Sequence, residues 1–420
     1  MIPRFAPNYD WNELLACFLP ADPKAVSRFE MKMAKKSGHA HAISFRYGRA
    51  GLFYLLKALG AQGKKVILPS YTCIVVAHAI VLSGNIPVFL DNVLGSLQPN
   101  PEDYLKAIDF DTIMVIPTHL FGIAEETEDL YHIIKHKFPH VVVLQDCAHS
   151  FFCEDEKGKI VTLHGDGALY GMNISKLINT GFGGMLTLRD KELARKVRDL
   201  VKLDRKEQQR KSSLFTRVYV FLATIAFSRL FYRVVYFLTH KTTFLKRYTD
   251  YYNPSTIELP KDFFYSVLSF EATIGLKSLA KYNERIRERR KIAQFYWENL
   301  VNVPHVKLPP FKKGNTWSHF PLLVPAALRE TIVSQLEKSC GVEIGKIVDY
   351  SIADLPAYQK LGHKGCPVSR DAAVGIVNLP LCLREGLIPL SHQVTRKYLI
   401  NIIQTIQLVL SKYAEGTKTA

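Results

Sequence analysis

A lysine in a glycine-rich segment is the residue of this chain best suited to covalent chemistry. Lys176 lies in the stretch 173–184 (NISKLINTGFGG), directly before the strand-like apolar run 185–188 (MLTL). Glycines let a backbone approach a ligand closely, and an amine withdrawn from water loses its proton more readily. A neutral lysine amine forms a Schiff base with a carbonyl group. The segment therefore predicts Lys176 as a catalytic residue, with an ordinary surface lysine as the alternative.

Two other polar clusters supply what a Schiff-base cofactor, pyridoxal phosphate, would need. Asp146 follows the apolar run 141–144, and a carboxylate there would keep the ring nitrogen of the cofactor protonated. Gly48, Arg49 and Ala50 open a helix-like stretch, where backbone N–H groups and a cation would bind a phosphate. The alternatives are a turn residue for Asp146 and a surface ion pair for Arg49. The placement of all three clusters at strand ends favours the cofactor site.

The elements that must position these residues alternate along the chain. Short apolar runs predict strands, and the amphipathic stretches between them predict helices; the runs are 66–68, 88–90, 113–116, 141–144, 168–170 and 185–188, and the helical stretches are 49–59, 73–83, 125–136 and 191–203. Such alternation is typical of an α/β domain with a mostly parallel sheet. The charged stretch 278–300 predicts one long helix, after which the sequence is richer in proline. A domain boundary is therefore expected in or just after that helix.

Segment 205–247 differs from the rest of the chain in charge and hydropathy. It contains ten Lys or Arg residues and one acidic residue, so it accounts for +9 of the formal net charge of +17. Its centre, 214–238 (LFTRVYVFLATIAFSRLFYRVVYFL), has a longest uncharged run of 11 residues, at 218–228. That run is too short to cross a bilayer at about 1.5 Å per residue.

The arginines of this segment do not share one helical face, so we predict two short helices with a break near Ser228. An element in the plane of an anionic membrane surface fits the mixture of basic, aromatic and apolar residues. A buried helical hairpin and a subunit interface are the alternatives. Nucleic acid is not expected as a partner, because the apolar content is too high for a surface that follows phosphates.

The remaining features indicate a cytoplasmic protein. The first residues contain no basic stretch followed by an apolar core, so no secretory signal is expected. The seven cysteines are odd in number and scattered, without a Cys-x-x-Cys pair. This pattern favours reduced thiols and argues against a structural metal site.

Several motifs of the chain resemble those of the DegT/DnrJ/StrS aminotransferases in order and spacing. They are 48–52 (GRAGL), 69–73 (PSYTC), 117–122 (PTHLFG), 146–149 (DCAH) and 175–184 (SKLINTGFGG), followed more weakly by 271–276 (EATIGL), 355–358 (LPAY) and 378–381 (NLPL). The resemblance implies a fold type I pyridoxal phosphate transferase. Its large α/β domain would comprise 1–204 and 248–290, 205–247 would be an insertion, and 291–420 would form a small C-terminal α+β domain.

The resemblance also implies roles for individual residues. Lys176 would hold the cofactor as a Schiff base and relay protons, and Asp146 would pair with the ring nitrogen. His149 would contact the phenolic oxygen, and Arg49 with the N–H of Ala50 would bind the phosphate. Gly48, Cys73 and Ser175 would complete the cofactor site; no metal is expected. The active sites would lie at a homodimer interface.

Four positions depart from the family pattern. Cys73 stands where an aromatic residue usually stacks on the cofactor ring, and Gly171 replaces a phosphate-binding serine five residues before the lysine. Phe264 replaces an asparagine that reaches the phosphate of the partner subunit, and Phe182 replaces a glutamate. These changes leave more of the phosphate binding to Arg49.

The resulting hypothesis is a ping-pong aminotransferase. An amino acid, typically glutamate, would donate the amine to a keto sugar, nucleotide- or lipid-linked, in surface polysaccharide or related biosynthesis. A dehydratase of the same fold is a second hypothesis, although relatives of that kind tend to replace the lysine with histidine. A catalytically silent, membrane-associated scaffold is the third, and the departures at Cys73, Gly171 and Phe264 are its main support.

Overall fold

The structure is a computed structural model that describes residues 1–20, 22–204, 210–240, 242 and 253–418. The predicted insertion 205–247 is therefore described only at 210–240 and 242, and the rest of it lies outside the described residues.

A seven-stranded sheet forms the centre of the first part of the chain. Its strands are β1 (His41–Phe45), β2 (Lys65–Pro69), β3 (Ile86–Leu90), β4 (Thr112–Val115), β5 (Val142–Asp146), β6 (Gly167–Gly171) and β7 (Gly184–Leu188). Their order across the sheet is β1-β7-β6-β5-β4-β2-β3. All neighbouring strands pair in parallel except those that contact β7, which is antiparallel to β1 and β6. The predicted α/β architecture with a mostly parallel sheet is confirmed.

Helices connect these strands and cover the faces of the sheet. They are α1 (Trp11–Leu15), α2 (Ala25–Ser37), α3 (Gly48–Ala58), α4 (Ile74–Leu82), α5 (Pro101–Ala107), α6 (Glu128–Lys137) and α7 (Lys191–Asp204). Strands of a sheet covered on both faces are buried along their whole length, and every residue of β5 and of the antiparallel β7 is buried. The predicted strands and helices of this part lie within one to three residues of the observed ones.

The long helix of the second half, α10, starts earlier than the charge pattern predicts. It runs over Ser269–Leu300, following α8 (Arg210–Ala226) and α9 (Tyr232–His240) of the insertion. Its first turns are apolar and largely buried, and Gly275 packs directly on Phe29, so they lack the charged outer face that identifies the later turns. Glu271 supports the early start, because its carboxylate accepts the backbone N–H of Leu268 (2.8 Å).

The C-terminal part packs around the end of α10. It contains β8 (Phe320–Leu323), α11 (Ala326–Cys340), α12 (Pro356–Gln359), α13 (Pro367–Gly375), β9 (Ile376–Leu379) and α14 (His392–Lys418). Strands β8 and β9 pair in antiparallel fashion, and α11 and α14 pack together. This mixture of helices with a small antiparallel sheet is the α+β arrangement expected there; the exact domain limits stay a prediction.

The described part of the insertion consists of α8 and α9, and the helix is interrupted between them by the turn at 227–231. The predicted pair of short helices with a break near Ser228 is confirmed. The buried side of α8 packs on the N-terminal segment and on α10, with Val220 fully enclosed by Tyr9, Cys17 and Phe270. Across the described ranges, every helix is too short or too polar to cross a bilayer.

Candidate active site

Asp146 lies at the carboxyl end of β5, where the main chain holds it in place. Its backbone N–H donates to the carbonyl of Pro117 (2.9 Å), and its carboxylate accepts the N–H of Ala148 (3.0 Å). The side chain is buried, and burial raises the pKa of the carboxyl group, an effect that the charge of Lys176 opposes. A buried carboxylate of this kind gains strongly from a neighbouring cation.

His149 follows three residues later, and its tautomer is defined by the main chain. The backbone N–H of Phe121 donates to Nδ1 of His149 at 3.3 Å. Burial, with the charge of Lys176, lowers the pKa of His149 well below its usual value, so the ring is neutral. Because Nδ1 accepts a hydrogen bond, the proton of the neutral ring is on Nε2. His149 therefore presents an N–H donor on its other side.

Lys176 lies in the connection between β6 and β7, as predicted. Its backbone N–H donates to the carbonyl of Asn173 (3.0 Å), which closes a turn at the lysine. Desolvation lowers the pKa of its amine, whereas Asp146 and the thiol of Cys73 act in the opposite direction. The structure thus brings Lys176, Asp146, His149 and Cys73 to one site at the carboxyl ends of the strands.

Gly171, the last residue of β6, lies beside the side chain of Lys176. A Cβ atom built on Gly171 would lie 3.5 Å from Cε of Lys176 and 3.5 Å from Cβ of Ala148, which is ordinary van der Waals contact. The backbone of Gly171 does not have a positive φ. The position has room for a small side chain, although the sequence supplies none.

Gly48 begins α3 and lies directly beside Tyr170 and Gly171 of β6. A Cβ on Gly48 would lie 2.8 Å from the carbonyl oxygen of Tyr170, and one on Gly184 would lie 2.1 Å from the nitrogen of Gly48. Both positions require glycine because two backbones approach each other here. The start of α3 is thereby held against the strands that flank Lys176.

Arg49 and Ala50 have different surroundings in the first turn of α3. The guanidinium of Arg49 lies over the ring of Tyr47, 5.0 Å from its centroid, and its Nε is buried without a hydrogen-bond partner. Desolvation lowers the pKa of Arg49. The N–H of Ala50 donates to the carbonyl of Tyr47 (3.1 Å), so the backbone donor predicted for the phosphate has an internal partner here.

Cys73 and Ser175 are the two remaining residues predicted for the site. Cys73 is the N-cap of α4, and its side chain makes no capping hydrogen bond. The hydroxyl of Ser175 donates to Oδ1 of Asn173 (2.7 Å) and therefore stabilises the turn that carries Lys176. Cys73 therefore lies close enough to Lys176 to affect the pKa of its amine, whereas Ser175 contributes a hydrogen bond within the turn.

A buried ionic network behind the site was not predicted. Arg46 follows β1 and bonds to Asp262 (Nε to Oδ2, 3.1 Å) and Glu271 (Nη1 to Oε1, 2.7 Å). Asp262 also accepts the hydroxyl of Tyr47 (2.6 Å), the residue that lies under Arg49. Burial raises the pKa of Glu271 to about 7, and Arg46 opposes this shift. Arg46 directly precedes the Tyr47-Gly48-Arg49 cluster, which was the available signal.

His319 and Phe121 also reach the site and were not predicted. His319, just before β8, lies 5.4 Å from His149 between ring centroids and is buried. Phe121 contacts both histidine rings, at 6.0 and 6.1 Å, and has a positive φ of 59°. A non-glycine residue in that region is strained, and such strain concentrates at functional sites. His319 follows Lys176 by more than 140 residues in the sequence, so no local pattern could indicate that it belongs to the site.

Glu125 supports the segment that holds Asp146 and provides a pH-dependent test. Its carboxyl accepts the N–H of Thr118 (3.2 Å), and burial raises its pKa to about 8. Between about pH 4.5 and 8 the folded chain therefore keeps a proton that the unfolded chain releases, and the free energy of unfolding falls as pH rises. We expect Glu125→Gln to raise the free energy of unfolding by about 3 kcal/mol at pH 8 relative to the wild type, and to change it little at pH 5.

Denaturant unfolding at the two pH values measures this effect. The adjacent exposed residue offers the control, since Glu126 is paired at the surface with Lys312. Glu126→Gln should not change the pH dependence. An equal gain for Glu125→Gln at pH 5 and pH 8 would show that the proton on Glu125 is not the cause.

Comparison with known proteins places this geometry in a family. The model of the DegT/DnrJ/EryC1/StrS aminotransferase family matches residues 21–252 and 263–385. The crystal structure of the aminotransferase TlmJ from Streptoalloteichus hindustanus superimposes with a TM-score of 0.74 at 22% identity, covering 99% of this chain and 100% of that one. The predicted fold, that of a type I pyridoxal phosphate transferase, is confirmed.

Curated relatives agree at the level of the family. The chain is 34% identical to the protein MosB of Rhizobium meliloti over 176 residues, which are 42% of this chain and 34% of MosB. It is 25% identical to the GDP-perosamine synthase of Vibrio cholerae over 396 residues, 90% of this chain and 94% of that protein. The first of these matches thus spans about a third of the relative's length. By the family match over most of its length, this chain belongs to the DegT/DnrJ/EryC1/StrS aminotransferases, as the sequence motifs predicted.

Proposed function

We propose that this protein is a pyridoxal phosphate-dependent aminotransferase that moves an amine from an amino acid to a keto sugar. The observation that carries the proposal is the grouping of Lys176, Asp146 and His149 at the carboxyl ends of β5 and β6, with Arg49 at the adjacent helix start. The donor we propose is glutamate, and the acceptor is a nucleotide- or lipid-linked keto sugar of surface polysaccharide or related biosynthesis.

The side chains present fit the cofactor chemically. Arg49 has a buried Nε without a partner, and a buried cation of this kind gains from an anion such as a phosphate. Asp146 has a raised pKa because it is buried, and a cationic ring nitrogen would stabilise its charged form. His149 has an N–H on Nε2 for a phenolate oxygen, and Lys176 has a desolvated amine for the carbonyl carbon.

The roles of the protein groups follow from these surroundings. Pyridoxal phosphate, when bound, supplies an electron sink for the charge that develops on the carbon bearing the amine. Lys176 would accept the proton of that carbon at Nζ and deliver it to the cofactor carbon on the other side of the nitrogen, because a desolvated amine gives up its own proton more readily than a surface lysine. Asp146 supplies a fixed negative charge, and Phe121 orients His149 through its backbone N–H.

Gly171 provides a test of phosphate binding at this site. Because a Cβ fits there without a clash, Gly171→Ser would add a hydroxyl beside Lys176, where family members have a phosphate-binding serine. We expect Gly171→Ser to lower the dissociation constant for pyridoxal phosphate about fivefold, the value of roughly one added hydrogen bond. Fluorescence or absorbance titration measures this constant. Gly171→Ala adds the same Cβ without the hydroxyl and should bind the cofactor as the wild type does; equal gains in both variants would exclude a hydroxyl–phosphate contact.

We further propose a homodimer and a cytoplasmic location at the inner face of a membrane. In such a dimer, Phe264 would not offer the partner subunit's phosphate the side-chain amide that asparagine offers in the family. The membrane proposal rests on the charge of 205–247, with one acidic residue among ten basic ones, and on the exposed apolar side chains of α8 and α9. Light scattering of the purified protein measures the dimer directly.

A half-reaction tests the enzymatic proposal most economically. Protein loaded with pyridoxal phosphate is mixed with glutamate, and 2-oxoglutarate is measured together with the loss of visible absorbance of the cofactor. We expect one 2-oxoglutarate per active site, and a keto sugar should then restore the absorbance. A chain that binds the cofactor but leaves glutamate unchanged would point to the dehydratase or to another donor; a chain that binds no cofactor would support the silent scaffold.

A further inference from the structure

The insertion and the N-terminal helix together present one apolar surface. On α8 the exposed side chains are Leu214 (63%), Phe215 (71%), Val218 (46%) and Leu222 (56%), which share one helical face. The opposite face, with Thr216, Val220 and Thr224, is buried. Helix α8 therefore exposes a wholly apolar face, whereas the face covered by the protein contains two threonines.

Helix α1 and the turn after it extend this surface. Trp11 (59%), Leu15 (55%) and Phe18 (66%) are exposed at the spacing of one helical side. Phe18 contacts Phe221 of α8 edge to face, with 5.1 Å between ring centroids. Arg217 binds the two elements together, because its guanidinium donates to the carbonyls of Cys17 and Leu19.

The turn between α8 and α9 also exposes apolar side chains. Its exposed residues are Leu230 (70%) and Phe231 (53%), followed by Val234 and Phe237 on α9. Arg233 is exposed among them. Because the Phe18–Phe221 and Arg217 contacts join α1 to α8, we use the name docking surface for the exposed residues of these two helices and the turn after α1, namely Trp11, Leu15, Phe18, Leu214, Phe215, Val218 and Leu222.

We propose that the docking surface binds an anionic lipid bilayer in its interfacial region. Apolar and aromatic side chains beside basic residues suit the boundary of headgroups and acyl chains, and short helices that cannot span a bilayer can lie in its plane. A second copy of the chain is a poorer occupant. In a twofold contact the same surface faces itself, so Arg217, Arg229 and Arg233 would approach the same residues of the second copy, and residues 210–240 contain no acidic side chain to offset them.

The buried side of α8 connects the docking surface to the catalytic turn. Gly181, in the segment after Lys176, has a φ of +87°, and a Cβ on it would lie 2.4 Å from Cγ2 of Val220. The ring of Tyr219 packs on Phe182, with 5.2 Å between centroids. Phe182 in turn lies under the guanidinium of Arg46 (4.1 Å). The bilayer would therefore be held beside the site assigned above, and this relation to catalysis rests on the proposed function.

Sedimentation of the full-length, cofactor-loaded protein with vesicles tests the proposal. Wild-type protein should pellet with vesicles of phosphatidylcholine and phosphatidylglycerol, and less with phosphatidylcholine alone. We expect the double variant Phe18→Glu/Phe215→Glu to reduce the bound fraction about tenfold or more, because two exposed aromatic anchors become charged. Phe110→Glu is the control, because it makes the same change at a residue that is 84% exposed and lies just before β4, outside the docking surface. This variant should pellet with vesicles as the wild type does.

The possible results are distinguishable. A wild type that stays in the supernatant, or a double variant that pellets normally, overturns the proposal. A double variant whose mass in light scattering falls to that of a monomer, without vesicle binding by the wild type, shows that a second copy covers the surface and also overturns it. The same preparations are tested for cofactor binding and 2-oxoglutarate release. Loss of these activities with intact vesicle binding would count against the proposed function alone.

Discussion

Replacing Lys176 with alanine is expected to lower the rate of amine transfer by at least about a thousandfold, because the proton carrier and the attachment point for the cofactor are lost together. The desolvated environment that lowers the pKa of this amine suits a base and is unfavourable for a surface cation. The variant should fold normally, since removing a partly buried charge relieves its desolvation.

The measurement is the single-turnover rate of 2-oxoglutarate formation from glutamate. Lys106→Ala is the matched control, because Lys106 is exposed and pairs only with surface acids. That control should retain the full rate. Added methylamine, which can replace part of the missing amine, should restore some activity to Lys176→Ala. A Lys176→Ala variant within tenfold of the wild type would remove this residue from the chemistry.

Asp146→Asn is expected to have the second largest effect, a loss of about 10²- to 10³-fold in the half-reaction. Asparagine keeps the shape of the side chain and can still accept the N–H of Ala148, so the change removes mainly the negative charge. Without it, the protonated ring nitrogen is no longer stabilised and the cofactor draws electrons less strongly. Asp111→Asn, a change at a surface ion pair with Lys64, serves as the control.

A cofactor analogue makes this prediction specific. In an analogue with carbon in place of the ring nitrogen, the group that Asp146 is proposed to pair with is absent. Wild-type protein and Asp146→Asn should therefore react at similar, low rates when loaded with it. If the variant still lost a hundredfold with the analogue, Asp146 would act by supporting the fold of the site instead of through the ring nitrogen.

The central sheet and its main site residues were accessible from the sequence because they depend on local patterns. Apolar runs of strand length predicted β2 to β7. The polar cluster after the run 141–144 identified Asp146, and the glycine-rich segment before the run 185–188 identified Lys176. Parallel strands place their carboxyl ends at one edge, so the residues that follow them meet there. The family motifs added order and spacing to the same residues.

The parts that were missed depend on contacts between distant segments. His319 comes after α10 in the chain, and its ring packs near that of His149, which comes before α10. The partners of Arg46 lie more than 200 residues further along the chain. The early start of α10 was hidden because residues such as Gly275 pack on Phe29 of α2 and show no charged face. The two helices of the insertion were predicted from their charges, but the residues on which α8 packs could not be read from local periodicity.

Reduction of the cofactor-loaded protein with borohydride, followed by peptide mass spectrometry, is the most direct test of the central claim. Borohydride converts a Schiff base into a stable secondary amine, so it marks the lysine that carries the cofactor. We predict one pyridoxyl group per chain, on the peptide that contains Lys176, and none on Lys176→Ala. A pyridoxyl group on another lysine, or no label after saturation with pyridoxal phosphate, would contradict the assignment of this site.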